Sequence, residues 1–110
     1  MLGKNTRIGF NCEIAKSFFS GNTKMSHQNT ILDSLIGNNV WFGGYSATAN
    51  VLLTRENVKF QVDGRLVDTG TDHFGAVVGN NGAVGANVMI LPGRQIAPDS
   101  KIQAGMIVRK

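Results

Sequence analysis

The chain has 110 residues, 14 of them glycine, and a formal net charge of +4. That length fits one domain, 1–110, with a small core, so association between subunits is expected to bury more. A single cysteine excludes an intrachain disulfide, no apolar run reaches membrane-spanning length, and no block of like charge marks a nucleic-acid tail. The expectation is a cytoplasmic protein with no membrane or nucleic-acid partner, although on charge alone anionic small molecules such as phosphates fit only as well as nucleic acid.

From the first residues an aliphatic side chain opens every sixth position. Leu2-Gly3-Lys4-Asn5-Thr6-Arg7 is followed by Ile8-Gly9-Phe10-Asn11-Cys12-Glu13. Neither the helical period nor strict alternation produces this spacing. Hexapeptides of this kind fold as a left-handed parallel β-helix, an all-β prism in which about 18 residues make one coil. Openers point inward and stack. Corners need tight turns with positive φ, which Gly and Asn tolerate best. Cys12 falls at the second inward position, as Val88 does later, so it reads as core and not as a nucleophile.

The middle of the chain carries the pattern as Ile36-Gly37-Asn38-Asn39-Val40-Trp41 and Phe42-Gly43-Gly44-Tyr45-Ser46-Ala47. Taking glycines as markers, Gly3 and Gly21 are 18 residues apart, but Gly21 and Gly37 only 16, which predicts a shortened second coil. Gly37 and Gly79 are 42 apart, which predicts a coil plus an excursion of 24 residues, about Val51 to Phe74. Within it, Val58-Lys59-Phe60-Gln61-Val62 and Arg65-Leu66-Val67-Asp68-Thr69 flank Asp63-Gly64, the signature of a β-hairpin with a type I′ turn. Such a hairpin is expected to cap a face or reach a neighbouring subunit. Regular hexapeptides resume from Val78 and run to Ile107, giving about five coils in all.

The segments Gly21-Asn22-Thr23-Lys24-Met25-Ser26-His27, Asp33 through Val40, and Thr48-Ala49-Asn50 are the most distinctive. With the hairpin and Phe74-Gly75-Ala76-Val77-Val78-Gly79, they resemble the C-terminal acyltransferase domain of the bifunctional sugar-1-phosphate nucleotidylyltransferases, the archaeal-type branch especially. The resemblance covers nearly the whole chain. It implies a homotrimer with active sites between subunits, and transfer of an acetyl group from acetyl-CoA to the amine of an amino-sugar phosphate. It implies His27 as general base, a task suited to an imidazole titrating near neutrality, with backbone N–H groups holding the developing oxyanion. Asn50 matches a residue that positions the acceptor, and His73 lies where a basic side chain would meet its phosphate. Arg94, Lys101, Arg109 and Lys110 lie on the last coils, where CoA phosphates would be held. Tyr45 and Trp41 would line the pocket or pack between subunits.

Several residues depart from that family. Thr30 and Ala15 stand where a tyrosine and a lysine are expected, and Gly43-Gly44-Tyr45-Ser46 replaces Gly-Ala-Gly-Thr. The chain begins inside the β-helix, so no nucleotidyl transfer is expected. The alternative reading is a non-catalytic trimerising or sugar-phosphate- or nucleotide-binding module derived from such an enzyme. A zinc site of the β-helical kind needs three histidines, and His27 and His73 lack a third, so no metal is expected.

Overall fold

A computed structural model describes residues 1–109; Lys110 lies outside the described residues. Its short strands wind as a parallel β-solenoid of the left-handed β-helix type, with three flat faces. The second coil contributes β3 (Phe18–Gly21), β4 (Lys24–His27) and β5 (Thr30–Leu32), after β1 (Arg7–Phe10) and β2 (Glu13–Ala15) of the first. The third contributes β6 (Leu35–Asn38), β7 (Trp41–Phe42) and β8 (Ala47–Thr48). The excursion then forms β9 (Lys59–Val62) and β10 (Arg65–Asp68). The fourth coil holds β11 (Val77–Val78), β12 (Ala83–Val84) and β13 (Met89–Ile90), and the fifth β14 (Gln95–Ile96), β15 (Lys101–Ile102) and β16 (Ile107–Val108).

Face A stacks β3, β6, β11 and β14, and an isolated bridge from Leu2 to Phe19 adds the first coil. Face B stacks β1, β4, β7, β12 and β15; face C stacks β2, β5, β8, β13 and β16. Each face is therefore five levels deep. The period-six openers become three inward columns. On face A the column descends through Phe19, Ile36, Val78 and Ile96, and on face B through Met25, Phe42 and Val84, all buried. A fully buried side chain of this size is worth about 1.5–3 kcal/mol relative to leaving it exposed. The levels are not separable units, because the inward residues of all three faces and successive coils pack in one cluster.

The register corrects one expectation. The second coil is not shorter than the first, and it falls one residue short of 18 where the spacing predicted two. Leu2 pairs with Phe19 and Phe19 with Ile36, so both upper steps are 17 residues, and 18 appears only below the excursion, as from Val78 to Ile96. The glycines misled because they are not equivalent. Gly3 follows its opener directly, whereas Ser20 takes that place in the second coil and Gly21 comes one residue later.

The excursion is where the spacing placed it. Phe74 N–H donates to the Asn50 carbonyl at 3.0 Å, closing the chain onto the residue it left from. In the hairpin Arg65 pairs with Val62 across Asp63 (φ 49°) and Gly64 (φ 80°), the two positive φ values of a type I′ turn. The hairpin docks on its own prism. Val58 is buried. Gly93 (φ 75°) leaves room for the Lys59 carbonyl, which would lie 2.4 Å from a Cβ at that position.

Among the described residues thirteen other than glycine have positive φ, nearly all at corners. They form columns: Asn5, Asn22, Asn39, Asn81 and Asp99 between faces A and B; Asn11, Gln28, Tyr45 and Asn87 between B and C; Lys16 and Asp33 between C and A. These corners carry the candidate functional residues.

Candidate functional site

His27 ends β4 and projects at the corner between faces B and C, where it is exposed. Its position is fixed from the next coil. The Tyr45 N–H donates to the His27 carbonyl at 3.1 Å, and the two rings meet edge to face with centroids 6.0 Å apart. The imidazole lies on Gly44, where a Cβ would come within 2.9 Å of Nε2. Tyr45 therefore flanks the imidazole and does not plug it.

The turn carrying Gly44 and Tyr45 is clamped from inside. Asn29, wholly buried two residues after His27, donates through Nδ2 to the Gly43 carbonyl at 2.8 Å and the Ser46 carbonyl at 3.0 Å. Ser46 Oγ adds a bond to the Gly43 carbonyl at 2.7 Å. A buried amide is tolerated because its bonds are made. Cys12 sits one coil above Asn29 in the same inward column, with Sγ 3.7 Å from Asn29 Oδ1, partly buried against the core as expected.

Asn50 is at a different corner, between faces C and A. Its Nδ2 donates to Asp33 Oδ2 at 2.7 Å, 17 residues up the chain and thus one coil above. Asp33, Lys16, Phe74 and His73 line a groove of about 580 Å³ at that corner. His73 Nδ1 is 2.7 Å from Asp72 Oδ1, and this hydrogen bond holds the Asp72 carboxyl below its usual pKa of 3.8. Asp33 and Asp72 were not singled out in the sequence as site residues. The signal for Asp33 was the 17-residue register, which the glycine markers obscured.

Arg94 and Arg109 come together in a groove of about 380 Å³ beside Gln61 and Leu66 of the hairpin. Arg94 Nε is buried and has no acceptor among the described residues. Lys101 is not with them; it points outward on face B, in register with Ala83. One chain therefore presents three separate places: His27 with Tyr45, Asn50 with His73, and Arg94 with Arg109. Among the described residues no helix is long and apolar enough to cross a membrane.

The fold and these corners define a hexapeptide-repeat β-helix that presents an imidazole at one edge. No family model matches the chain. Over all 110 residues it is 31% identical to a bifunctional sugar-1-phosphate nucleotidylyltransferase/acetyltransferase of Sulfurisphaera tokodaii, of which it covers 27%. It is 34% identical over 110 residues to the bifunctional protein GlmU of Methanococcus vannielii, covering 26% of that protein. It is 28% identical to the uncharacterized acetyltransferase YaiX of Escherichia coli O6:K15:H31, covering 48%. The chain thus spans about a quarter to a half of the curated relatives it matches. The stretch it matches is their C-terminal hexapeptide-repeat acetyltransferase domain.

Proposed function

We propose that the chain is the acyltransferase unit of a homotrimer, moving an acetyl group from acetyl-CoA to the amine of an amino-sugar phosphate. The observation that carries this reading is His27, exposed yet held by Gly44 and Tyr45 in a chain similar throughout to acetyltransferase domains. His27 takes a proton from the amine as its nitrogen attacks the thioester carbonyl. The C–S bond then breaks, and CoA leaves as its thiol once protonated.

The separation of His27 from Asn50 favours a site shared between subunits. Face C lies between their two corners. Its outward residues below the first coil are mostly apolar, with Leu32, Ala47, Ala49, Met89, Leu91 and Ile107 beside Thr30 and Arg109. Apolar surface of this kind marks an interface. With face C on a three-fold axis, the His27 corner of one subunit faces the Asn50 corner of the next. The cleft then holds His27 and Tyr45 from one side, with Asn50, Asp33 and His73 from the other. Asn50 and Asp33 orient the acceptor, and His73 meets its phosphate.

The Arg94–Arg109 groove fits the anionic part of CoA. Arg94 Nε is a buried donor without an acceptor among the described residues, and a phosphate oxygen would satisfy it. CoA, when bound, supplies the activated acyl group; these residues bind and orient it. Lys101, on another face, has no part in this groove.

The experiment mixes the protein with acetyl-CoA and a panel of amino-sugar phosphates and measures free thiol. Acceptor-dependent thiol release that falls in His27→Ala supports the reading. Release no greater than that of His27→Ala removes the catalytic role and leaves the binding-module alternative, for which sugar phosphate would bind without turnover.

A further inference from the structure

The corner between faces A and B and the adjoining part of face B have no role in the acyl-transfer reading. Arg7 and Lys24 are directly in register there, side by side on β1 and β4 and both exposed. Like charges so placed repel. Neither is relieved by a carboxylate: among the described residues the one cation–carboxylate pair is His73–Asp72. The next outward residue in the same rank is Trp41, in register with Lys24 and 44% exposed.

Beside this rank runs a ladder of carboxamides. Asn5 Nδ2 donates to Asn22 Oδ1 at 3.2 Å, and Asn22 Nδ2 donates to Asn38 Oδ1 at 2.9 Å. From the neighbouring residue, Asn39 Nδ2 donates to Asn81 Oδ1 at 2.9 Å, and Asn81 Nδ2 donates to Asp99 Oδ1 at 3.0 Å, where the ladder ends on a carboxylate. An amide has two donor hydrogens and two acceptor lone pairs. Each rung uses only part of that capacity along the ladder, so spare donors and acceptors remain in fixed orientation. The ladder and the two cations line one groove of about 570 Å³ with no acidic side chain in its wall.

We propose that this groove binds an anionic carbohydrate. Its carboxylate or phosphate lies between Arg7 and Lys24 and relieves their repulsion. A sugar ring packs its C–H face on the Trp41 indole, and its hydroxyls, each donor and acceptor, match the spare amide groups of Asn22, Asn38 and Asn39. A single-stranded nucleic acid would call for a longer basic track and more stacking platforms than this one tryptophan. The groove is at the opposite end of β4 from His27, and face B stays free when face C lies on a trimer axis.

Trp41 is the only tryptophan in the chain, so its fluorescence reports on this surface directly. The protein is titrated separately with a uronate tetrasaccharide and with glucose 1-phosphate, and with glucose, inorganic phosphate and an oligothymidylate as comparators. The proposal requires a saturable change with at least one anionic sugar. Saturation with the tetrasaccharide alone identifies a carboxylated glycan, and with glucose 1-phosphate a phosphorylated sugar. The exposed double variant Arg7→Gln/Lys24→Gln, shown by circular dichroism to be folded, is expected to weaken binding by about tenfold or more. His27→Ala is expected to leave the titration unchanged, which separates this result from failure of the acyl-transfer reading. The proposal is overturned if neither anionic sugar gives a saturable change or if the double variant binds as well as the parent. It is equally overturned if phosphate or oligothymidylate matches the sugars in affinity.

Discussion

The His27 imidazole rests on Gly44, and a methyl group there would stand 2.9 Å from Nε2. A glycine at this point in the coil is thus tied to the orientation of one side chain. Gly44→Ala is expected to push the ring aside at a stability cost of no more than about 1 kcal/mol, because the displaced group is an exposed side chain. On the proposed role of His27 as base, its displacement should still lower kcat/KM by about 100-fold. Parallel thermal melts and thiol-release assays check both halves of this prediction.

Asn29 holds the same turn from within. Asn29→Ala removes the donor to the buried Gly43 and Ser46 carbonyls, and should destabilise the fold by about 1–3 kcal/mol. Urea unfolding measures this directly. A loss well under 0.5 kcal/mol would show that other donors replace Asn29.

The two variants separate what was legible in the sequence from what was not. The openers Ile36, Phe42, Val78, Val84 and Ile90 gave away the prism through their period of six, because an inward column admits only apolar or well-satisfied residues. Asp63-Gly64 gave away the hairpin because a type I′ turn asks for two positive φ values. The upper register was not legible. Glycine is admitted at corners and on strands alike, so Gly3 and Gly21 looked equivalent when Gly3 and Ser20 are the true neighbours. That error hid the Asp33–Asn50 pair and the Cys12–Asn29–Ser46 column, both of which follow at once from a 17-residue step.

Gly93 tests how the hairpin is attached. Its φ of 75° is strained for any other residue, and a Cβ would lie 2.4 Å from the Lys59 carbonyl. Gly93→Ala is expected to cost about 2 kcal/mol and to loosen the hairpin from the last coil. Limited trypsin digestion should then cut faster at Arg65 in the hairpin.

The Asp72–His73 pair sets a pH dependence. The hydrogen bond from His73 depresses the Asp72 pKa from its usual 3.8. The support this gives the loop is fully present above pH 3.8 and is lost as pH falls through the lower, folded value. Carboxyl chemical shifts should place the Asp72 midpoint below that of an ordinary aspartate, and His73→Ala should return it upward.

The central claim is that His27 of one subunit works with Asn50 of the next. His27→Ala and Asn50→Ala chains, each impaired alone, can be unfolded together, refolded as mixed trimers and assayed for thiol release. Shared sites predict recovery, because some interfaces in a mixed trimer unite an intact His27 with an intact Asn50. A mixture no more active than its two parents would contradict the shared site.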